Sequence, residues 1–197
     1  MASLSFWFDF ASTYSYPAAL RIDERAAARG VSVIWRPFLL GPIFGEQGWR
    51  TSPFNIYPAK GRYMWRDMER ICAVEKLPFA RPDPFPQNSL LAARVAHALD
   101  GEERARFCRA VFAEEFGRGA SIDGPDFLAS VLRDQGLPDE VIERAASDVV
   151  KAGLRASVEE AKELGIFGAP SFTAADGELF WGFDRLDAAL DWAAERT

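Results

Sequence analysis

The first forty residues alternate between short apolar segments and one segment with helical character. Residues 3–9 contain three aromatic side chains and a leucine, which is typical of a buried strand. Residues 14–29 are rich in small residues and precede Gly30, so a helix that ends at a glycine is predicted there. The β-branched and aromatic segment 31–38 predicts a second strand, which ends at Pro37. A strand, a helix and a strand in this order form a βαβ unit with parallel strands and a right-handed crossover.

The middle of the chain changes from a loop-like pattern to a helical one. Residues 39–61 are rich in glycine, proline and aromatic residues, which predicts a long loop of the kind that often lines a site. Residues 62–164 carry mostly helical patterns. In the first of these helices, four side chains share one face: Met64, Met68, Ile71 and Cys72. Farther along, Asp123 is predicted to be a helix N-cap, with Pro125 in the first turn.

The last part of the chain returns to strand-like patterns. Residues 169–182 predict a hairpin with its turn at Asp176 and Gly177, and residues 183–196 predict a closing helix. The order βαβ, helical block, ββα is the thioredoxin order with an insertion of the kind found in proteins that resemble the disulfide oxidoreductase DsbA. We therefore predict an α/β, thioredoxin-like fold with a large all-helical insertion.

The domain organisation follows from the same order of elements. Residues 1–60 and 165–197 are predicted to form a discontinuous thioredoxin-like domain, and residues 61–164 a helical insertion domain. The total length of 197 residues fits one domain of ordinary size that carries a large insertion.

Charge and hydropathy exclude several classes of partner. The net charge is −6 and the chain has no basic run, so the electrostatic footprint of a nucleic-acid-binding protein is missing. No apolar stretch approaches the roughly 20 residues that cross a bilayer, and the N-terminus lacks the pattern of a signal peptide. We expect a soluble, cytoplasmic protein with neither a nucleic-acid nor a membrane partner.

The few cysteines and the single histidine limit the possible chemistry. Cys72 and Cys108 lie among apolar neighbours in helical segments, which favours two buried free thiols over a disulfide. His97 is the only histidine, so a histidine-based metal site is not expected. A serine hydrolase would have to place His97 beside its nucleophilic serine. A structural or surface role is the favoured interpretation of His97, which flanks an apolar helix face.

Two serines occupy the junction between the first strand and the first helix. Ser12 and Ser15 have the spacing of a Cys-x-x-Cys motif, at a place where a helix N-terminus would convert a cysteine to a thiolate. A serine hydroxyl stays neutral there, but it can donate a hydrogen bond to a thiolate that a ligand brings, which lowers the pKa of that thiol. The alternative interpretation is that Ser12 only caps the helix.

Five ordered motifs carry a family resemblance. They are FDFASTYSYPA (8–18), NIYPAKGRYMWRDMER (55–70), FPQNSLLAAR (85–94), GIFGAPSF (165–172) and GFDRLD (182–187). In this order they resemble 2-hydroxychromene-2-carboxylate isomerases and their relatives, the kappa-class glutathione transferases. The resemblance covers nearly the whole chain.

The resemblance implies glutathione as a cofactor and assigns residues to it. Ser12 would activate the glutathione sulfur, and the backbone of Ala169, before a cis Pro170, would pair with the cysteinyl unit. Gly182 to Arg185 would hold the γ-glutamyl carboxylate through main-chain N–H groups, and Asp184 would take the ammonium group. The family generally has a polar residue in place of Phe183, which leaves only a backbone contact at that position.

The resemblance also implies contacts from the 39–61 segment and a reaction. Asn55 and Lys60 would reach glutathione or the substrate, with the lysine on the glycyl carboxylate or on a substrate carboxylate. The glutathione thiolate would add to 2-hydroxychromene-2-carboxylate or a similar small aromatic-degradation intermediate, allow a cis-trans rotation and then leave. Five aromatic residues are candidates for the pocket wall: Phe10, Tyr14, Phe38, Phe44 and Trp49. A homodimer is expected from the family.

Other functions fit parts of the same pattern. A transferase or peroxidase of the kappa type would use the same thiolate but would consume glutathione. A non-enzymatic binding protein would keep the fold and hold a peptide along the edge at Pro170. A disulfide oxidoreductase is excluded, because neither Ser12 nor Ser15 can form a disulfide.

Overall fold

Four strands form one mixed sheet in the computed structural model, which describes residues 2–196. They are β1 (Ser3–Phe8), β2 (Ser32–Pro37), β3 (Ser171–Ala174) and β4 (Leu179–Trp181). The strand order across the sheet is β2-β1-β3-β4, so the first strand of the chain lies in the interior of the sheet.

Ten helices surround the sheet within residues 2–196. In chain order they are α1 (Ser15–Ala27), α2 (Leu40–Glu46), α3 (Pro53–Ile56), α4 (Pro58–Glu75), α5 (Leu90–His97), α6 (Gly101–Arg118), α7 (Pro125–Asp134), α8 (Val141–Ala145), α9 (Asp148–Glu163) and α10 (Leu186–Glu195). A short 3-10 turn, Phe183–Arg185, precedes α10.

Strand pairing confirms the predicted fold class. β1 pairs with β2 in parallel, with Phe6 opposite Trp35, as a βαβ unit requires. β3 pairs antiparallel with β1, with Phe172 opposite Phe6, and antiparallel with β4, which makes the predicted hairpin. The chain therefore has a thioredoxin-like fold with a helical insertion between its βαβ and ββα parts.

The segment 39–61 was expected to be a long loop, and this prediction is wrong in part. The segment contains α2, α3 and the first turn of α4. Pro53 and Pro58 begin α3 and α4, at helix positions where the missing N–H of proline costs nothing. Leu40 and Ile43 of α2 are buried against the sheet side chain Trp7, which explains why this stretch is ordered.

Two helix starts differ from the sequence prediction. Gly124, rather than Asp123, is the N-cap of α7, although Pro125 begins the helix as expected. The side chain of Asp123 instead accepts a hydrogen bond from the hydroxyl of Ser121 at 2.7 Å. The closing helix begins at Leu186, because the three residues before it form the 3-10 turn.

The main core joins the sheet to the inserted helices. The ring of Phe8 in β1 lies 5.5 Å from Trp35 in β2 and 5.8 Å from Phe112 in α6. Phe10 continues this cluster toward Phe107 of the same helix. Buried aromatic contacts of this kind fix the end of β1 against α6. The boundary between the two predicted domains stays a prediction.

No helix within residues 2–196 combines the length and the apolar character that crossing a membrane requires.

Candidate functional site

The junction between β1 and α1 is a tight turn that holds Ser12. The N–H group of Ser12 donates to the main-chain oxygen of Asp9 at 3.0 Å, and the Ser12 carbonyl accepts from the N–H of Ser15 at 3.1 Å. Tyr14 is the N-cap of α1, and no side chain caps this helix. The hydroxyl of Ser12 is therefore not used as a helix cap and is available for another partner.

The hydroxyl of Ser12 meets the segment that precedes β3. Ser12 Oγ donates to the carbonyl oxygen of Ala169 at 2.8 Å, and only 8% of the Ser12 surface is exposed. The peptide bond between Ala169 and Pro170 is cis, as the family resemblance implies. The fold thus brings Ser12 and Ala169, two residues predicted to contact the same sulfur-bearing unit, within hydrogen-bond distance.

The carboxylate of Asp9 lies under the same turn and is almost completely buried. One oxygen accepts from the N–H of Ala11 at 3.0 Å and from the hydroxyl of Ser89 at 2.6 Å. The other accepts from the N–H of Leu40 at 2.8 Å. Burial raises the pKa of Asp9, and these three hydrogen bonds oppose that shift because they stabilise the charged form.

A cavity of about 1330 Å³ opens beside Ser12 and Ala169. Its walls come from distant parts of the chain, which the fold brings together: the turn after β1, the α2–α3 region, one face of α4, residues 85–90, and residues around 167–169 and 181–184. Most of this surface is apolar, with a small number of polar groups. This composition is typical of a site for a small organic molecule.

The five aromatic candidates for the pocket wall divide into two groups. Tyr14, Phe44 and Trp49 line the cavity. Phe10 and Phe38 are fully buried in the two hydrophobic clusters instead. Tyr14 donates its hydroxyl hydrogen to Asp67 of α4 at 3.1 Å, and burial together with this carboxylate raises the pKa of Tyr14. Tyr14 is therefore a neutral wall residue rather than an acid–base group.

Charged and polar candidates are distributed around the cavity rim. Lys60 lines the cavity, and its ammonium group lies 4.8 Å from the ring centroid of Tyr57. Arg50, which the sequence did not single out, also lines it. Asn55 is not part of the lining: its amide donates to Thr51 Oγ1 at 3.2 Å and to the Phe85 carbonyl at 3.3 Å.

The segment after β4 also contributes to the cavity wall. Gly182, Phe183 and Asp184 all line the cavity. Gly182 has φ +104°, a backbone conformation that residues other than glycine rarely adopt. Its N–H already donates to the carbonyl of Pro170 at 2.9 Å, which anchors the segment to β3. The ring of Phe183 lies under the guanidinium of Arg25, 5.4 Å away.

An exposed aromatic pair on the cavity wall is not indicated by any pattern in the sequence. The rings of Phe167 and Trp181 lie 4.9 Å apart on the cavity rim, and each residue is about half exposed. Gly168 leaves the space that the indole occupies, since a Cβ atom there would clash with Trp181 Nε1. Phe167 precedes β3 and Trp181 ends β4, so no local spacing in the sequence points to the pair.

Neither the cysteines nor the histidine reaches this site. Cys72 and Cys108 are buried free thiols, and burial raises the pKa of Cys72 to about 11. His97 lies at the end of α5 against Gly153 of α9, and it does not line the cavity. The serine-hydrolase interpretation, which needs His97 beside Ser12, therefore has no geometric support.

Comparisons with known proteins agree with the geometry. Residues 3–192 match the family model of the DSBA-like thioredoxin domain. The chain is 28% identical to a 2-hydroxychromene-2-carboxylate isomerase from Sphingobium xenophagum, covering 94% of each chain. It is 24% identical to glutathione S-transferase kappa 1 from Caenorhabditis elegans, covering 95% of this chain and 89% of that protein. A solved structure of a 2-hydroxychromene-2-carboxylate isomerase superposes with a TM-score of 0.87 at 24% identity, covering 98% of this chain and 95% of that chain.

Proposed function

We propose a function from the premise that this chain belongs to the DSBA-like thioredoxin domain family. The proposed function of the chain is that of a glutathione-dependent isomerase, which acts on 2-hydroxychromene-2-carboxylate or a similar intermediate of aromatic-compound degradation. Its similarity to both an isomerase and a kappa-type glutathione transferase supports this assignment.

One observation carries the proposal, which is the place of the Ser12 hydroxyl. It lies on the wall of the large apolar cavity and donates to the carbonyl of Ala169. Both cysteines of the chain are buried in helices, so the sulfur for any thiol chemistry has to come from a ligand. A hydroxyl has one hydrogen, so donation to an incoming sulfur would replace the bond from Ser12 to the Ala169 carbonyl. The new bond would lower the pKa of the thiol, because a hydrogen bond to the anion favours ionisation.

The residues around the cavity fit the chemistry of glutathione. Glutathione carries two carboxylates, one ammonium group and one thiol along an extended backbone. The cavity lining offers cations at Lys60 and Arg50, an acid at Asp184 and the hydroxyl of Ser12. The N–H group of Ala169 belongs to the segment beside Ser12, where an extended peptide can pair as an added strand.

Bound glutathione would supply the nucleophilic sulfur, which this chain does not itself provide. The chain's own residues bind and orient glutathione and the substrate. Ser12 donates to the thiolate, and Lys60 binds a carboxylate of glutathione or of the substrate. The apolar side chains of Phe44 and Trp49 exclude water from an aromatic substrate, which strengthens the electrostatic contacts nearby.

The proposal is tested with 2-hydroxychromene-2-carboxylate and reduced glutathione. Ser12→Ala is expected to lower turnover by about a hundredfold, the typical effect of removing one donor to a developing anion. The affinity for glutathione should be largely kept. Ser130→Ala is the matched control, because this hydroxyl also donates to a carbonyl, that of Phe127 at 2.7 Å, but lies outside the cavity.

The fate of glutathione separates the proposal from its rivals. An isomerase leaves the total amount of free glutathione unchanged over many turnovers. Stoichiometric consumption of glutathione with an electrophile would show a kappa-type transferase instead. Peptide binding without any thiol-dependent turnover would show a non-catalytic binding protein.

Two further parts of the proposal concern the setting of the enzyme. A need for reduced glutathione suits the cytoplasm, where the thiol pool is kept reduced. A homodimer stays a prediction from the family resemblance, and sedimentation of the purified chain measures it directly.

A further inference from the structure

We propose that Asp9 is a positioning residue, whose carboxylate fixes the turn that carries Ser12 and thereby aims the Ser12 hydroxyl at the bound sulfur. The inference rests on the proposed function, because it deepens the role assigned to Ser12. Asp9 precedes Ser12 by three positions, and only 3% of its surface is exposed.

Asp9 gathers hydrogen bonds from three separate parts of the chain. Ala11 lies in the Ser12 turn itself, Leu40 is the first residue of α2, and Ser89 immediately precedes α5. The main-chain oxygen of Asp9 also accepts the N–H of Ser12 at 3.0 Å. Both the backbone and the side chain of Asp9 therefore restrain the turn on which Ser12 lies.

The helices on either side show that these bonds serve Asp9 rather than ordinary helix capping. Ser89 is the N-cap residue of α5, yet its hydroxyl makes no capping bond and donates to Asp9 instead. The N-cap of α2 is Leu39, which has no side-chain acceptor, so the carboxylate of Asp9 satisfies the N–H of Leu40 from outside the helix. Asp9 thus couples the Ser12 turn to the starts of two elements that border the cavity.

A second buried acid, Glu115, interacts electrostatically with Asp9. Glu115 of α6 is fully buried, and neither of its carboxyl oxygens has a hydrogen-bond partner within residues 2–196. Burial and, to a lesser extent, the charge of Asp9 raise the pKa of Glu115 well above its ordinary value. With three donors on Asp9 and none on Glu115, the negative charge of this pair is best held on Asp9.

The experiment measures the pKa of the glutathione thiol while it is bound to the enzyme. The ultraviolet absorbance of the thiolate is followed as a function of pH, and calorimetry gives the dissociation constant of glutathione separately. Asp9→Asn keeps the size of the side chain but cannot accept all three hydrogen bonds. It is expected to raise the pKa of the bound thiol by about one unit, while the dissociation constant measured below that pKa, where the thiol is protonated, changes little.

Asp9→Glu separates positioning from charge. This variant keeps the negative charge but places the carboxylate farther along a longer side chain. A positioning role predicts that the pKa of the bound thiol rises in Asp9→Glu as well. A purely electrostatic role predicts a pKa close to that of the wild type in Asp9→Glu and a lower pKa in Asp9→Asn, which would overturn the proposal.

Milder variants protect the test against loss of folding. Ser89→Ala removes one donor to Asp9 and should raise the thiol pKa in the same direction, whereas Ser89→Thr, which keeps the hydroxyl, should restore it. Thr173→Val is the matched control: this equally buried hydroxyl accepts from Trp7 Nε1 at 3.0 Å and does not line the cavity. A shift of the thiol pKa in Thr173→Val would show that the loss of any buried polar group has this effect, and would contradict the proposal.

A double-mutant cycle with Ser12→Ala shows whether Asp9 acts through Ser12. If it does, Asp9→Asn adds almost nothing to the pKa shift of Ser12→Ala, because the group that it aims is already gone. Additive shifts would refute the positioning role while leaving the role of Ser12 intact. If Ser12→Ala itself leaves the thiol pKa unchanged, the proposed function fails rather than this inference.

Discussion

At the scale of single residues, the two buried acids contribute to stability in opposite ways. Asp9 accepts three hydrogen bonds, whereas Glu115 accepts none within the described chain, residues 2–196. A buried carboxyl without partners is stable only in its protonated form. The pKa of Glu115 is therefore higher in the folded chain than in the unfolded chain, and folding is linked to the uptake of a proton.

This linkage predicts how Glu115→Gln changes stability with pH. Well below pH 4.5, the Glu115 carboxyl is protonated in both the folded and the unfolded chain. As the pH rises from there through the pKa of the folded state, the free energy of unfolding of the wild type falls. The neutral glutamine has no such dependence. Urea unfolding should show Glu115→Gln becoming steadily more stable relative to the wild type as the pH rises from about 5 to about 8.

A neighbouring glutamate supplies the control for this measurement. Glu114 lies on the same helix, is partly exposed and pairs with Arg118 at 3.0 Å. Glu114→Gln should change stability by less than about 1 kcal/mol, with little dependence on pH. Equal pH profiles for the two variants would show that Glu115 is ionised in the folded protein.

At the scale of elements, α5 and α9 approach closely because position 153 has no side chain. A Cβ atom at Gly153 would overlap the imidazole of His97. Gly153→Ala should therefore lower the free energy of unfolding by about 1–3 kcal/mol, the usual cost of overfilling a packed contact. Thermal and urea unfolding measure this change.

Two further variants test whether the contact with His97 causes that loss. Gly45→Ala in α2 has open space around the added methyl group, so it should not lower stability. The double variant His97→Ala with Gly153→Ala should lose less than the sum of the two single variants, because the smaller side chain leaves room. If the stability losses of the two single variants simply add in the double variant, the contact between Gly153→Ala and His97 is not the source of the strain.

Much of the fold could be predicted from patterns along the chain. Short apolar, aromatic and β-branched segments located β1 and β2, small residues before Gly30 located α1, and the turn at Asp176 and Gly177 located the closing hairpin. The region 39–61 was predicted as a loop because its glycines and prolines conceal the starts of the helices that begin at Pro53 and Pro58. A proline at a helix start and a proline in a loop leave the same trace in a single sequence.

The candidate site could be predicted only where a family resemblance supplied the missing tertiary information. Ser12 and Ala169 are 157 residues apart, and their hydrogen bond depends on how the sheet is assembled. The bond between Asp9 and Ser89 spans 80 residues, and nothing local to either residue indicates it. The contact of Phe167 with Trp181 has the same origin, in the meeting of β4 with the segment before β3.

At the scale of the whole molecule, the cavity joins the inserted helices to the thioredoxin-like part. Lys60 at the start of α4 faces the same space as Asp184, which follows β4. Charges of both signs on the wall of an apolar cavity favour a ligand that carries both carboxylate and ammonium groups. A zwitterionic peptide such as glutathione has this distribution of charge.

The role of Lys60 can be measured by ligand affinity. Lys60→Met keeps the apolar part of the side chain but removes the charge, and it should weaken glutathione binding about tenfold if Lys60 holds the glycyl carboxylate. Lys151→Met on α9, which removes a lysine that pairs with Asp148 at 3.6 Å, should leave the affinity unchanged. An unaltered glutathione affinity in Lys60→Met with a raised KM for the isomerase substrate would assign Lys60 to the substrate carboxylate instead.

The central claim is that the chain owns no reactive sulfur and activates the sulfur of bound glutathione through Ser12. The most direct test is the ultraviolet difference spectrum of glutathione added to the wild type and to Ser12→Ala near neutral pH. The wild type should show the absorbance of a bound thiolate, and the variant should bind glutathione without it. Equal thiolate absorbance in both proteins, or no binding by the wild type, would contradict the claim.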